Sequence, residues 1–157
     1  MSYVLRLGEG VPIAGTAFIE KVRSAESGGL LSCQEATMAP RHLVVPHVHT
    51  REDEFSLVIS GRIGARVGDQ EYEVGPGGLL LKPRGVPHTM WNPTDEPAVS
   101  FEFISPAGFE GFFREIGELS LAGEVTPPMA AEVGARYGMA PKPEWIPELI
   151  ARYGVRP

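Results

Sequence analysis

Residues 47–61 read HVHTREDEFSLVISG, and residues 77–92 read GGLLLKPRGVPHTMWN. These two segments contain His47, His49 and His88, three of the four histidines in the chain, together with the carboxylate of Glu54. Three imidazoles and one carboxylate form a ligand set that suits a divalent transition metal such as Fe, Mn, Co, Ni, Cu or Zn. The two segments therefore predict a metal site, and we expect such a set to leave coordination positions open for a substrate.

Strand geometry supports part of this prediction directly. His47 and His49 are two residues apart, so in a β-strand both side chains point to the same face. Glu54 lies seven residues after His47, an odd offset that requires a break in the strand, and polar residues 50–53 can supply it. Glu52 and Asp53 are alternatives for the carboxylate role, and the spacing favours Glu54, with the other two in a solvated turn.

Short apolar runs separated by Gly and Pro extend over the first two thirds of the chain. This pattern is typical of an antiparallel sandwich or barrel. It contains no helical periodicity between about residues 15 and 104. The predicted strands are Ser2–Arg6, Ala17–Val22, Leu30–Ala36, Leu43–His49, Glu54–Ile59, Arg62–Val67, Glu71–Val74, Gly78–Leu81, His88–Asn92 and Val99–Ile104.

The pattern becomes helical after residue 105. Apolar residues recur at intervals of three and four from Phe109 to Leu119. Thr126 before two prolines predicts a helix start, Gly138 predicts a stop, and a last helix is expected over 144–153. We therefore expect a β-barrel at residues 1–105 and a helical extension at 106–157 that packs on the barrel, covering sheet surface or a dimer seam.

Composition excludes several classes of function. The chain has 157 residues, a net charge of −6 and a pI of about 5.2, which speaks against a nucleic-acid surface. No apolar stretch approaches the roughly 20 residues of a membrane span. The single cysteine, Cys33, lies in a predicted strand and is expected to be a small buried hydrophobe. One unpaired cysteine and the absence of a signal-peptide pattern favour a cytoplasmic protein.

The two segments resemble the paired motifs of the cupins. The first has His-x-His, four residues, Glu, six residues and Gly61. The second has Gly77, five residues, Pro83-x-Gly85, two residues, His88, three residues and Asn92. The 15-residue spacer is the short form usual in microbial members. The downstream sequence is similar to the single-domain, type-2 cupins often labelled quercetin 2,3-dioxygenase-like.

This resemblance implies an all-β fold, the cupin double-stranded β-helix or jelly-roll barrel, with a C-terminal helical tail. It also implies that His47, His49, Glu54 and His88 are the metal ligands, that the turn at 83–85 presents His88, and that Asn92 supports structure. Homodimers paired through sheet edges are common in such proteins. One position departs from the family pattern, since Arg41 stands where a glycine is usual, and this puts the loop before His47 in doubt.

Alternation along the strands predicts the lining of a pocket. Ser56 and Val58 share the inward face of Glu54, and Met90 shares that of His88, which implies a roomy and mostly apolar cavity for a small organic substrate. The sequence does not decide whether Phe101 and Phe103 line this pocket. His42 is expected at an edge or on the surface, and Arg84 in a solvated turn at the barrel mouth, with contact to an anionic substrate as the alternative.

These residues are compatible with three functions. The first is a mononuclear metal-dependent dioxygenase-like oxidoreductase, in which Glu54 would also act as a catalytic base. The second is a metal-dependent isomerase, decarboxylase or lyase acting on a small oxyacid. The third is a barrel that binds a small molecule without turnover, since one fold hosts all three.

Overall fold

The computed structural model describes residues 4–157, of which the part up to residue 105 is mostly β and the remainder mostly helical. The strands are β1 (Val11–Pro12), β2 (Phe18–Val22), β3 (Ser32–Met38), β4 (His47–His49), β5 (Asp53–Ser60), β6 (Ile63–Val67), β7 (Gln70–Val74), β8 (Leu79–Lys82), β9 (His88–Trp91), β10 (Ala98–Ser105) and β11 (Met139–Pro141). The α-helices are α1 (Ser24–Ser27), α2 (Glu110–Leu121), α3 (Pro127–Arg136) and α4 (Ile146–Tyr153), and a 3-10 helix at Pro143–Trp145 leads into α4.

The strands form two antiparallel sheets that enclose the interior of the domain. One sheet has the order β1-β2-β3-β10-β5-β8, and the other has the order β11-β4-β9-β6-β7. Most neighbours in each sheet are distant in sequence, as β10 is when it lies between β3 and β5. This arrangement is the double-stranded β-helix, with helices after it, that the sequence predicts.

Strict alternation defines the inner face of the first sheet. In β10, Ser100 and Glu102 are buried, whereas Phe101 and Phe103 are partly exposed. Adjacent residues of a strand point to opposite faces, so the two phenylalanines lie on the outer face of the sheet. The question that the sequence left open is thereby answered, and neither ring lines the interior.

The interior has an apolar part and a polar part. Its apolar part is a hydrophobic cluster that joins the two sheets and consists of Met38, Val58, Ile63, Ala65, Leu80, Met90 and Ala98. Towards one end of the same strands the inward positions become polar, with Glu54 before Val58 on β5, Lys82 after Leu80 on β8, and Glu102 after Ala98 on β10. The polar part contains the histidines of both motifs.

The C-terminal segment is more than a helical cover. Its strand β11 pairs with β4, so that Met139 lies opposite His49 and Pro141 opposite His47. On the outside of the second sheet, α4 contributes Leu149 to a second buried cluster with Leu43 and Trp91. The helical tail that the sequence predicts is present, and the short strand β11 is an addition to it, because a three-residue strand gives no periodicity to read.

Other sequence predictions also need correction. Helix α1 interrupts the region in which no helix was expected, and it is only four residues long. In the predicted strand over 43–49, only β4 is regular, and Leu43 makes an isolated bridge with Trp91. The predicted first strand begins among residues outside the described range, and its described part, 4–6, is not a strand.

Several predictions were confirmed in detail. The chain breaks between β4 and β5, as the position of Glu54 requires. Helix α3 begins directly after Thr126, whose side chain accepts a hydrogen bond from the Met129 N–H, and Gly138 follows its end. Cys33 is buried, and burial raises the pKa of its thiol to about 12.

Within residues 4–157, none of the helices combines the length and apolar character that crossing a bilayer requires.

Arg41 occupies the left-handed backbone region at the position where cupins usually have glycine. Its φ is +58°, a value that costs free energy in any residue with a Cβ. The guanidinium forms a fork with the Asp95 carboxylate at 2.8 and 3.0 Å, and it donates to the Pro93 carbonyl at 2.6 Å. The turn therefore keeps the conformation of a glycine turn, and the arginine side chain ties it to the loop after β9.

We predict that Arg41→Gly gives a more stable protein than Arg41→Ala. Both variants lose the contacts to Asp95 and Pro93, but only the glycine relieves the left-handed strain, which should separate their unfolding equilibrium constants by about fivefold. Urea denaturation of the two variants beside the unchanged protein measures this. Equal stability of the two variants would contradict the assigned strain.

Candidate metal centre

Both sheets contribute to a cluster of four residues. His47 and His49 come from β4, and His88 at the start of β9 lies opposite His47 in the register of that strand pair. Glu54 comes from β5 in the facing sheet. One ligand atom from each of the four side chains lies within 4.8 Å of the others. The structure thus brings together all four residues that the sequence singled out.

Backbone carbonyls fix the orientation of two of the rings. Nδ1 of His47 is 2.7 Å from the Val45 carbonyl oxygen, and Nδ1 of His88 is 3.0 Å from the Val86 carbonyl oxygen. A carbonyl oxygen only accepts, so in each ring Nδ1 carries the hydrogen and donates it. In the neutral ring, the lone pair is then on Nε2, the atom available to a metal.

His49 has a carboxylate near each ring nitrogen, and neither approach is a formed hydrogen bond. Its Nδ1 lies 3.5 Å from Oε2 of Glu52, and its Nε2 lies 3.8 Å from Oε2 of Glu54. Glu52 therefore faces the ring from the side opposite to Glu54. The expectation that Glu52 lies in a solvated turn was wrong, because Glu52 is only 5% exposed and packs behind His49.

A turn connects the two motifs. Gly85 has a φ of +76°, and its N–H donates a 2.7 Å hydrogen bond to the His49 carbonyl. The turn that precedes His88 is thus held close to the strand that carries the other two histidines. Asn92 has the structural role expected of it, since its side-chain amide donates to the carbonyls of Met38 and Glu96.

The donor set fits a metal ion. Nε2 of His49 and Nε2 of His88 are both buried and have no hydrogen-bond partner within the described part of the chain. Buried polar atoms are normally paired, so two unpaired nitrogens beside a carboxylate call for an explanation. Glu54 Oε2 lies 3.2 Å from the His88 nitrogen. A divalent cation at this point would satisfy all of these atoms.

The pKa values of His47 and Glu54 favour the same conclusion. Burial, with contributions from His88 and His49, lowers the pKa of His47 to about 3, so this ring is neutral at physiological pH. Burial by itself would raise the pKa of Glu54, but the charge of Lys82 and the contact with His88 outweigh it and hold that pKa well below its ordinary value. A neutral imidazole and an ionised carboxylate are the forms that bind metals.

A buried lysine that was missed from the sequence adjoins this cluster. Nζ of Lys82 lies 3.0 Å from Oε2 of Glu54 and 3.0 Å from Oε2 of Glu102. Burial by itself would lower the pKa of Lys82, but the charges of Glu102 and Glu54 outweigh it and raise that pKa. In a strand over 79–82 the side chains of Leu80 and Lys82 point to the same, buried face. The sequence could have predicted this, but the predicted strand stopped at Leu81.

The cluster opens onto a cavity of about 550 Å³. Its wall includes Met90, as predicted, and also Phe109, the residue just before α2, whose ring meets that of His49 edge-on at 4.3 Å between centroids. Ser56 and Val58 point inward but lie behind this wall, Ser56 bonded to Glu102 and Val58 in the hydrophobic cluster. The predicted substrate contacts of these two residues therefore gain no support from the cavity.

The sequence also predicted positions for Arg84 and His42, which the structure shows directly. Arg84 is exposed in the solvated turn that the sequence favours, and it forms an ion pair at 2.7 Å with Asp53, which is the first residue of β5 and is partly buried, not a turn residue as expected. His42, which the sequence predicts at an edge or on the surface, makes an isolated bridge with Arg156, is partly buried and also contributes to the cavity wall. Burial lowers the pKa of His42.

Comparison with known proteins agrees with the fold and the motifs described above. Residues 34–104 match the family model described as the cupin domain. No functionally curated protein shows significant sequence similarity to the chain.

Solved structures share the fold at low sequence identity. A conserved Klebsiella pneumoniae protein with a double-stranded β-helix domain aligns with a TM-score of 0.57 at 18% identity, over 69% of this chain and 93% of that chain. The protein TT1209 from Thermus thermophilus aligns at 0.55 and 24% identity, over 65% and 92% of the two chains. KdgF from Halomonas sp. aligns at 0.54 and 17% identity, over 62% and 84%. Such similarity shows the fold alone. The motif spacing, the facing antiparallel sheets and the match to the cupin-domain model agree that residues 34–104 have the cupin fold.

Proposed function

We propose that His47, His49, Glu54 and His88 hold a divalent transition metal and that the protein is a dioxygenase-like oxidoreductase for a small hydroxyl- or enol-bearing substrate. The observation that carries the metal assignment is the convergence of two unpaired buried imidazole nitrogens on the Glu54 carboxylate. A bound ion would supply Lewis acidity and, if it is redox-active, a route for electrons to dioxygen.

The cavity supports a small organic substrate. Its volume, about 550 Å³, lies in the range of small-molecule sites. Phe109, Phe112 and Phe113 supply apolar wall on the side of α2, and the histidine cluster with Lys82 and Glu102 supplies the charged and metal-ligating groups. A substrate with an apolar body and one oxygen-bearing end would match this division and would be oriented with its oxygen toward the metal.

The environment of Glu54 favours a role as ligand rather than as base. Both roles were expected of this residue from the sequence. Because the pKa of Glu54 is held well below its ordinary value, its carboxylate is a weak proton acceptor, and it accepts a proton poorly from a hydroxyl group. The proposed function therefore assigns no proton transfer to Glu54.

Metal content provides the first test. Protein purified without chelators should contain about one transition-metal ion per chain. His49→Ala and His88→Ala should lose metal affinity by more than the roughly 10–100-fold that removal of an outer partner costs. His42→Ala is the matched control, because His42 lines the same cavity outside the cluster and its loss should leave metal content unchanged.

Elemental analysis measures these contents, and the thermal midpoint should rise with metal only in proteins that retain the site. Full metal content in His49→Ala would show that the ligand assignment is wrong.

Oxygen consumption tests the reaction class. Metal-loaded protein should consume dioxygen with at least one member of a panel of phenols, catechols, 1,3-diketones and 2-hydroxy acids, and His88→Ala should not. An oxygen electrode and product analysis by mass spectrometry give the result. Turnover of a panel member without oxygen uptake would contradict the oxygenase assignment and favour an isomerase, decarboxylase or lyase.

A further inference from the structure

Lys82 is the largest fully buried side chain in the described part of the chain, with a side-chain exposure of 1%. A buried ammonium group is costly unless its charge and its hydrogen atoms are satisfied. Two of its partners are the oxygens of Glu54 and Glu102, each at 3.0 Å. The next polar atom is Sδ of Met90 at 3.6 Å. A thioether is a weak acceptor, so the third N–H of Lys82 has a poor partner.

Glu102 is held firmly in place. Its Oε1 accepts a hydrogen bond from Ser100, and its Oε2 accepts one from Ser56 as well as the contact from Lys82. These three donors fix the carboxylate on β10, and the carboxylate in turn fixes the position of the lysine. Glu102 therefore fixes the position of Lys82 even if Glu54 binds a metal ion instead of the lysine.

Three charged side chains line the cavity within the described residues, namely Glu54, Lys82 and Glu102. Glu52, the next carboxylate, faces His49 Nδ1 and is separated from the cavity by that ring. In the protein without metal, the single positive charge of Lys82 is shared between two carboxylates. A divalent ion on Glu54 would compensate that carboxylate and leave the wall of the cavity with a net positive charge.

This inference rests on the proposed metal site and extends it to the class of substrate. We propose that Lys82 is an anion-binding residue of the cavity and that the metal-loaded site selects small organic molecules with an anionic oxygen, a carboxylate or an enolate. The negative oxygen would take the third N–H of Lys82, in place of the Met90 sulfur. Both Lys82 and Met90 are on the cavity wall, so the ammonium group lies at the edge of the space that a ligand would occupy.

Benzoate and benzamide are suitable probes because they share a shape and differ in charge. Isothermal titration calorimetry of the zinc-loaded protein should show benzoate binding at least about tenfold more tightly than benzamide. Lys82→Met should remove most of this preference by weakening benzoate, while Lys82→Arg should keep part of it. Glu102→Gln removes the competing carboxylate charge and should strengthen benzoate binding relative to benzamide.

Zinc content of each variant is measured first and separates two kinds of failure. An unchanged protein that binds no zinc would overturn the proposed function and the inference together. Zinc-loaded protein that binds no benzoate, or Lys82→Met that keeps its zinc and its benzoate affinity, would overturn the inference alone. If Lys82→Met does not fold, Glu102→Gln decides, and an unchanged preference between the two probes in that variant would overturn the inference.

Discussion

The polar half of the barrel depends on one buried positive charge, that of Lys82, placed between the carboxylates of Glu54 and Glu102. Three charges removed from water are tolerated only when they are paired and hydrogen-bonded, and loss of one partner from such a group typically costs about 3–5 kcal/mol. The cross-strand register supplies the pairing, because Glu54 lies opposite Lys82 on one side and Ile104, two residues after Glu102, on the other. The position of the carboxylate in the candidate metal centre is therefore set by the sheet itself.

The histidines depend on a different set of supports. Two of the rings are held by backbone carbonyls, which leave their Nε2 atoms for the cluster, and Glu52 lies 3.5 Å from Nδ1 of the third ring. The C-terminal segment adds to this, since β11 pairs with the strand that carries two of the histidines and Phe109 packs against the ring of His49. The segment after residue 105 thus forms part of the wall of the site.

Much of the fold and the proximity of the four cluster residues could be predicted from the sequence. Strand alternation and the spacing of two short motifs are local properties, and they placed His47, His49, His88 and Glu54 in one cluster. Lys82 and Glu102 were missed because their roles arise from pairing between β5, β8 and β10, which a single sequence does not specify. Glu52 was wrongly predicted to be solvated, because a carboxylate within a polar run is usually exposed and the sequence does not show that Glu52 packs against the His49 ring. The left-handed turn at Arg41 was questioned for good reason, and the structure shows that the arginine keeps it.

A single metal ion shared between the two sheets is central to the proposed chemistry. Anomalous diffraction, collected on both sides of the absorption edge of the metal found in the purified protein, tests it most directly. We predict an anomalous peak within bonding distance of the Nε2 atoms of His47, His49 and His88 and of a Glu54 oxygen, with Lys82 still in contact with Glu102. A peak at another place, or bound metal that leaves Glu54 on Lys82 and outside the coordination shell, would contradict the shared site.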